Sequence, residues 1–263
     1  MSRYDARLTM VIALSLALTA CGGSGGATKT EEELGLDPEG SPAELYVKMA
    51  EEYYNRGQTE VAFRRAQQAI EADDDYPRAH IWLAFLLGEL RQNDEAARHY
   101  ARAIELAPNN ADVLNAYASF LCRDRKYAEA DTHFKKALAS PVYTTPWIAM
   151  TNAGNCAAEA GDTAKAESYY RSAMQANAQF GAPLVKLAEL AMKKGDAKAA
   201  KDYIDTYFKP TTARTSASLS YTALGIGAQA ERKLGNRKRA AYYEKALESG
   251  RPETPTKPRP AGS

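Results

Sequence analysis

Three cysteines and three histidines are the side chains of this chain with the most chemistry to offer. A thiol serves as nucleophile, metal ligand, lipid attachment point or half of a disulfide, and its surroundings decide which. Cys21 closes an apolar run and is followed at once by GGSGG, whereas Cys122 and Cys156 lie 34 positions apart in the interior of the chain. His80, His99 and His133 are scattered, and the last two return at one outward place of successive 34-residue units, so a solvated helix face fits them better than a metal. The densest carboxylates, Asp73-Asp74-Asp75, fall between two such units, where acidic residues commonly begin a helix. There is no glutamate-flanked histidine pair, phosphate-cradling glycine loop or nucleophile elbow. The expectation is therefore no catalytic residue, no metal, no cofactor and no small-molecule substrate.

What precedes Cys21 says what its thiol is for. Arg3 and Arg7 stand before a stretch from Leu8 to Ala20 that only Thr9, Ser15 and Thr19 interrupt. As a helix it would rise roughly 20 Å, short of the ~30 Å hydrocarbon core of a bilayer, so residues 1–20 read as a signal peptide rather than a membrane span. Leu18-Thr19-Ala20-Cys21 resembles the bacterial lipobox, in which the cysteine sulfur receives a diacylglycerol before cleavage. That resemblance implies that Cys21 is the lipidated first residue of the mature protein. Gly22, in place of an aspartate, implies the periplasmic face of the outer membrane. The competing reading is a plain secretory signal that ends by chance on a cysteine.

Residues 1–20 hold two basic residues and one acidic residue, which leaves 32 of each sign in the remainder. That balance, with no basic stripe along any helix, gives no reason to expect nucleic acid. Residues 21–41 are Gly- and Glu-rich and read as a flexible tether, and residues 250–263, with four prolines, as a disordered tail. Residues 42–249 remain for a folded domain.

Self-comparison of that domain returns one pattern every 34 positions. The clearest copy begins at Pro77, with Leu83, Ala84, Leu87, Ala96, Tyr100, Ala103 and Pro108. Register-related copies carry Ala50, Ala62 and Ala66; Ala118, Ala130 and Phe134; then, after a two-residue insertion around Pro141 to Pro146, Gly154, Ala166 and Tyr170; and Ala188, Ala200 and Ile204. A sixth copy has Gly227, Ala228 and Gly235, with its second helix one residue out of step at Tyr243 and Ala246. Gly57, Gly161, Gly195 and Gly235 recur at place fifteen, where a helix must end and reverse. The pattern resembles the tetratricopeptide repeat, in which small residues let two antiparallel helices cross closely. The expected fold is all-α: a superhelix, or α-solenoid, of about six helix-turn-helix repeats.

Cys122 closes the first helix of the third repeat and Cys156 lies on the first helix of the fourth, so the two belong to neighbouring helices. Two readings stand: a disulfide closing a loop of about 34 residues, worth up to roughly 4 kcal/mol, or two buried thiols acting as small apolar groups. The segments NAYASFLCRDRKYAEA and PVYTTPWIAMTNAGNCAAEAGD resemble the type IV pilus biogenesis and stability lipoproteins, the pilotins. The resemblance runs through the lipobox, the repeats, the insertion before Trp147 and both cysteines. It implies an accessory role: binding secretin subunits of the type IV pilus and promoting their localisation and multimerisation in the outer membrane.

In such arrays the first helices line a concave face. At its exposed places the first two repeats hold Val47, Glu51, Tyr54, Ile81 and Phe85, an apolar patch expected to take a secretin segment. The next two repeats offer Asn115, Ser119, Thr151 and Asn155, and the last two offer Val185, Glu189, Met192, Gln229 and Arg232. The alternative for the patch is packing against the tether or a neighbouring helix. The alternative for the whole protein is a periplasmic scaffold for cell-wall enzymes or another envelope complex.

Overall fold

The computed structural model describes residues 40–213 and 216–249. Cys21, the proposed signal peptide, nearly all of the tether and the Pro-rich tail lie outside the described residues. Among the described residues twelve helices follow one another as six hairpins: α1 (Pro42–Asn55) with α2 (Thr59–Ala72), α3 (Pro77–Glu89) with α4 (Asn93–Leu106), α5 (Ala111–Arg123) with α6 (Tyr127–Leu138), α7 (Pro146–Glu159) with α8 (Thr163–Ala176), α9 (Ala182–Lys193) with α10 (Ala197–Tyr207), and α11 (Ala217–Lys233) with α12 (Arg237–Glu248). Each second helix packs on the first helix of the next hairpin, and α1, α3, α5 and α7 form a continuous inner row. This is a tetratricopeptide-repeat solenoid. None of these helices is long and apolar enough to cross a membrane.

Local chemistry starts and stops the helices. Proline stands in the first turn of α1, α3, α7 and α9, where its missing N–H has no intrahelical partner to lose. Ser41, Asn110, Asp162, Asp196 and Ser216 accept backbone N–H groups at the starts of α1, α5, α8, α10 and α11. Every hairpin reverses through one left-handed residue at place fifteen: Gly57, Gly161, Gly195 and Gly235, but also Arg91 (φ 63°) and Arg125 (φ 59°). The residue after it donates five positions back, as in Gln58 N to Tyr53 O (2.9 Å) and Lys126 N to Leu121 O (2.9 Å), which satisfies a terminal carbonyl of the first helix.

Within each hairpin, a small residue on the first helix meets a buried residue sixteen positions later: Ala84 and Tyr100, Ala118 and Phe134, Gly154 and Tyr170, Ala188 and Ile204. The sixth hairpin keeps this spacing with Gly227 and Tyr243. Its first-helix glycine has therefore moved one place together with the tyrosine, while the turn keeps the register of the other hairpins, with Gly235 left-handed and Asn236 N donating to Glu231 O (2.9 Å). The insertion before α7 sends Tyr143 back onto Ala111, Leu114 and Ala137 of the third repeat.

The sixth hairpin also buries a charge. Glu231 is fully buried, accepts from Asn236 Nδ2 (2.6 Å) and lies 2.8 Å from Arg239 Nε, off the hydrogen-bond line. Arg239 in turn reaches Asp205 (2.5 Å), which Lys201 also holds (2.7 Å), so the network joins α10 to both helices of the last repeat. A buried carboxylate requires such compensation, because its desolvation alone costs several kcal/mol.

Candidate functional site

The inner row of helices encloses a groove of about 930 Å³ along α1, α3, α5 and α7. One wall is aromatic. Tyr54 meets Phe85 edge-on with ring centroids 4.9 Å apart, and Trp82 lies edge-on to both at 6.3 and 5.7 Å. Ile81 extends this wall, and the Arg123 guanidinium lies 5.9 Å from the Phe85 ring centre while its Nη1 stands 3.3 Å from Glu89 Oε1. Burial pushes the Tyr54 phenol above its ordinary pKa, and the nearby Glu89 carboxylate adds to that, so Tyr54 stays neutral and offers a ring with a polar tip.

The floor is polar. Asn152 Nδ2 donates to Asn115 Oδ1 (3.1 Å), the Tyr170 hydroxyl donates to Asn155 Oδ1 (2.9 Å), and Ser119 donates to the Asn115 carbonyl (2.9 Å). An amide carries two donors and an acceptor with two lone pairs, so these side chains keep hydrogen-bonding capacity for a bound main chain. Ile148, partly exposed, adds an apolar spot on the far side. Cys122 and Cys156 also reach the groove and are joined in a disulfide, Cα to Cα 5.6 Å, that ties α5 to α7.

Of the residues the sequence placed on this surface, Glu51, Tyr54, Ile81 and Phe85 line the groove together. Val47 does not. It is fully buried with Ala43, Ala69, Tyr76 and Ala79, with Trp82 packed against them, because place five of the first repeat points at the next hairpin rather than into the opening. Thr151 and Val185, at the same place of the fourth and fifth repeats, are also buried, and Thr151 spends its hydroxyl on the Trp147 carbonyl (2.7 Å). The residues missed include Trp82, Arg123, Ile148 and Asn152. Trp82 sits one place beyond the supposed exposed position, and its bulk was the signal: a side chain of that size can cover Val47 and still border the groove.

The histidines also differ from expectation. His80 is buried, its Nε2 lies 2.8 Å from the Asp74 carbonyl, and its Nδ1 lies 3.0 Å from His99 Nδ1. The carbonyl requires the proton on His80 Nε2, which makes His80 Nδ1 the acceptor of the His99 Nδ1–H. His133 stacks edge-on against Tyr117 at 4.9 Å. Asp73 to Asp75 serve the chain itself: Asp73 accepts from Asp75 N (3.0 Å), and Asp75 pairs with Arg102 (2.6 Å). No group of three or more histidine, cysteine or acidic residues among the described residues is arranged to hold a metal ion.

Hairpins stacked around an inner groove define a protein built on tetratricopeptide repeats, and the sequence profile of that repeat matches residues 53–120 and 157–213. The chain is homologous to the PilF and PilW proteins of type IV pilus biogenesis. It is 26% identical over 201 residues to the type IV pilus assembly protein PilF of Pseudomonas aeruginosa, covering 76% of this chain and 79% of that one. The crystal structure of PilW, described as a widely conserved type IV pilus biogenesis factor, superposes with a TM-score of 0.64 at 29% identity, over 79% of this chain and 92% of PilW. Cut9, from a complex of the APC/C, shares the fold alone, with a TM-score of 0.65 at 14% identity over 82% of this chain and 41% of that structure.

Proposed function

We propose that this chain acts in type IV pilus assembly as a pilotin: an outer-membrane lipoprotein, anchored through Cys21, that binds secretin subunits and promotes their multimerisation. The observation that carries the reading is homology to PilF and PilW across about four-fifths of the chain. The groove gives the role a physical basis. An aromatic wall beside an amide floor suits an amphipathic segment, whose apolar side chains leave water against Tyr54, Trp82 and Phe85 while its polar groups find hydrogen-bond partners. The role asks for a binding surface and no chemistry of its own.

Replacing Tyr54 and Phe85 by serine in the full-length protein tests the reading. Both side chains are partly exposed, so the repeats keep their fold, as circular dichroism would show. The expected outcome is loss of detergent-resistant secretin multimers from the outer membrane. Multimers at the normal level would reject this groove as the secretin site.

A further inference from the structure

The turns of the second and third repeats depart from the other four. All six hairpins reverse through a left-handed residue, and where the others use glycine these two use Arg91 and Arg125. A side chain in that region costs roughly 1–2 kcal/mol, which glycine would relieve. Backbone strain of this kind persists at positions whose side chain is needed for something else. Both side chains line a cleft of about 630 Å³ between the two turns, and Arg123 lies in its wall. The acids there are largely matched already, Glu89 by Arg123 (3.3 Å) and Asp124 by Lys126 (2.8 Å). Neither Arg91 nor Arg125 has an ion-pair partner among the described residues, which leaves two guanidinium groups against the single carboxylate of Glu159. The cleft is also continuous with the groove: Arg123 and Glu159 border both, and Arg123 covers the Phe85 ring where the aromatic wall ends.

We infer that this cleft binds carboxylate side chains of the docked segment, so that the partner sequence carries an acidic stretch directly beside the apolar stretch that fills the groove. This rests on the groove being the docking surface. The guanidinium fork matches a carboxylate through two parallel hydrogen bonds, and two unmatched forks at one end of an apolar wall fix which way round the segment lies. Charge placed this way sets orientation and encounter rate as well as affinity.

The test uses the full-length protein in detergent and random 20-residue peptides displayed on phage, selected on three forms: wild type, Arg91→Gly/Arg125→Gly, and Tyr54→Ser/Phe85→Ser. Glycine is the residue the turn geometry favours, so the arginine variant should resist denaturant better than wild type, and loss of binding cannot be put down to unfolding. Wild type should select peptides with an apolar run bordered on one side by Glu or Asp. The arginine variant should keep the apolar run and lose the acidic preference. A selected peptide, resynthesised with its acids changed to Gln, should bind wild type about tenfold more weakly and the arginine variant no differently. An apolar consensus without acids, or an equal loss on both proteins, would overturn the inference and leave the groove standing. The absence of any apolar consensus, or one that survives Tyr54→Ser/Phe85→Ser, would remove the groove as the docking surface and this inference with it.

Discussion

His80 and His99 share one proton between two ring nitrogens 3.0 Å apart, a contact that a proton on both Nδ1 atoms would break. Burial lowers the pKa of His99 below its ordinary value, and the neighbouring His80 and Arg98 add to this, with Glu95 opposing. A base whose folded pKa is depressed takes up its proton more readily when unfolded. The unfolded chain therefore binds more protons once the pH drops below about 6.5, and stability falls from there toward the folded pKa. We expect the melting temperature to drop between pH 7 and pH 5, and His99→Gln, which can still donate to His80, to flatten that dependence. An unchanged slope in the variant would place the titration elsewhere. Little of this was legible in the sequence. Nineteen positions separate the two histidines, and only the antiparallel crossing of α3 and α4 brings them together. Val47 was misread for a related reason: periodicity gives the face a residue occupies, but not whether a tryptophan from the next hairpin will cover it.

At the scale of the element, the hairpin was the most legible feature, since alanines and aromatics at fixed places report how closely two helices can approach. The sixteen-residue crossing explains why the sixth repeat survives its irregularity. Moving Gly227 and Tyr243 by one place together preserves the contact around an unchanged turn. The same contact predicts a sharp size limit. A Cβ on Gly154 would stand 2.5 Å from Tyr170 Cε1, and the hydroxyl of that tyrosine is held by Asn155, so the ring has little room to retreat. Gly154→Ala should cost about 1–3 kcal/mol by overpacking, although alanine is the better helix former by roughly 1 kcal/mol. Urea denaturation should show a lower midpoint. A raised midpoint would mean that the hairpin opens at no cost, and the crossing would lose its standing as the determinant of the repeat. The register places the Arg91 and Arg125 turns, but that arginine would adopt the left-handed geometry there was not legible, because such geometry at a non-glycine position has no signature in composition.

At the scale of the molecule, a solenoid has no central core, and each repeat is held mainly by its neighbours. Stability is then local, and a crosslink between adjacent repeats acts where it is placed. The Cys122–Cys156 disulfide joins α5 to α7 across the junction of the third and fourth repeats, at the floor of the groove. Closing a loop of about 34 residues restricts the unfolded chain by up to roughly 4 kcal/mol in the chain-entropy model. In a molecule whose repeats open semi-independently, that stabilisation belongs to α5, α6 and α7 rather than to the whole chain. Reduction, or Cys122→Ala with Cys156→Ala, should therefore accelerate hydrogen exchange in those three helices by up to about three decades, with little effect in α1, α2, α11 and α12. Binding should weaken in parallel, because the polar floor lies on α5 and α7 while the aromatic wall lies on α1 and α3, and the groove requires the two to keep a fixed separation. Acceleration spread evenly over all twelve helices would show that the solenoid unfolds as one unit. No acceleration at all would show that packing between α6 and α7 holds the junction without the bridge.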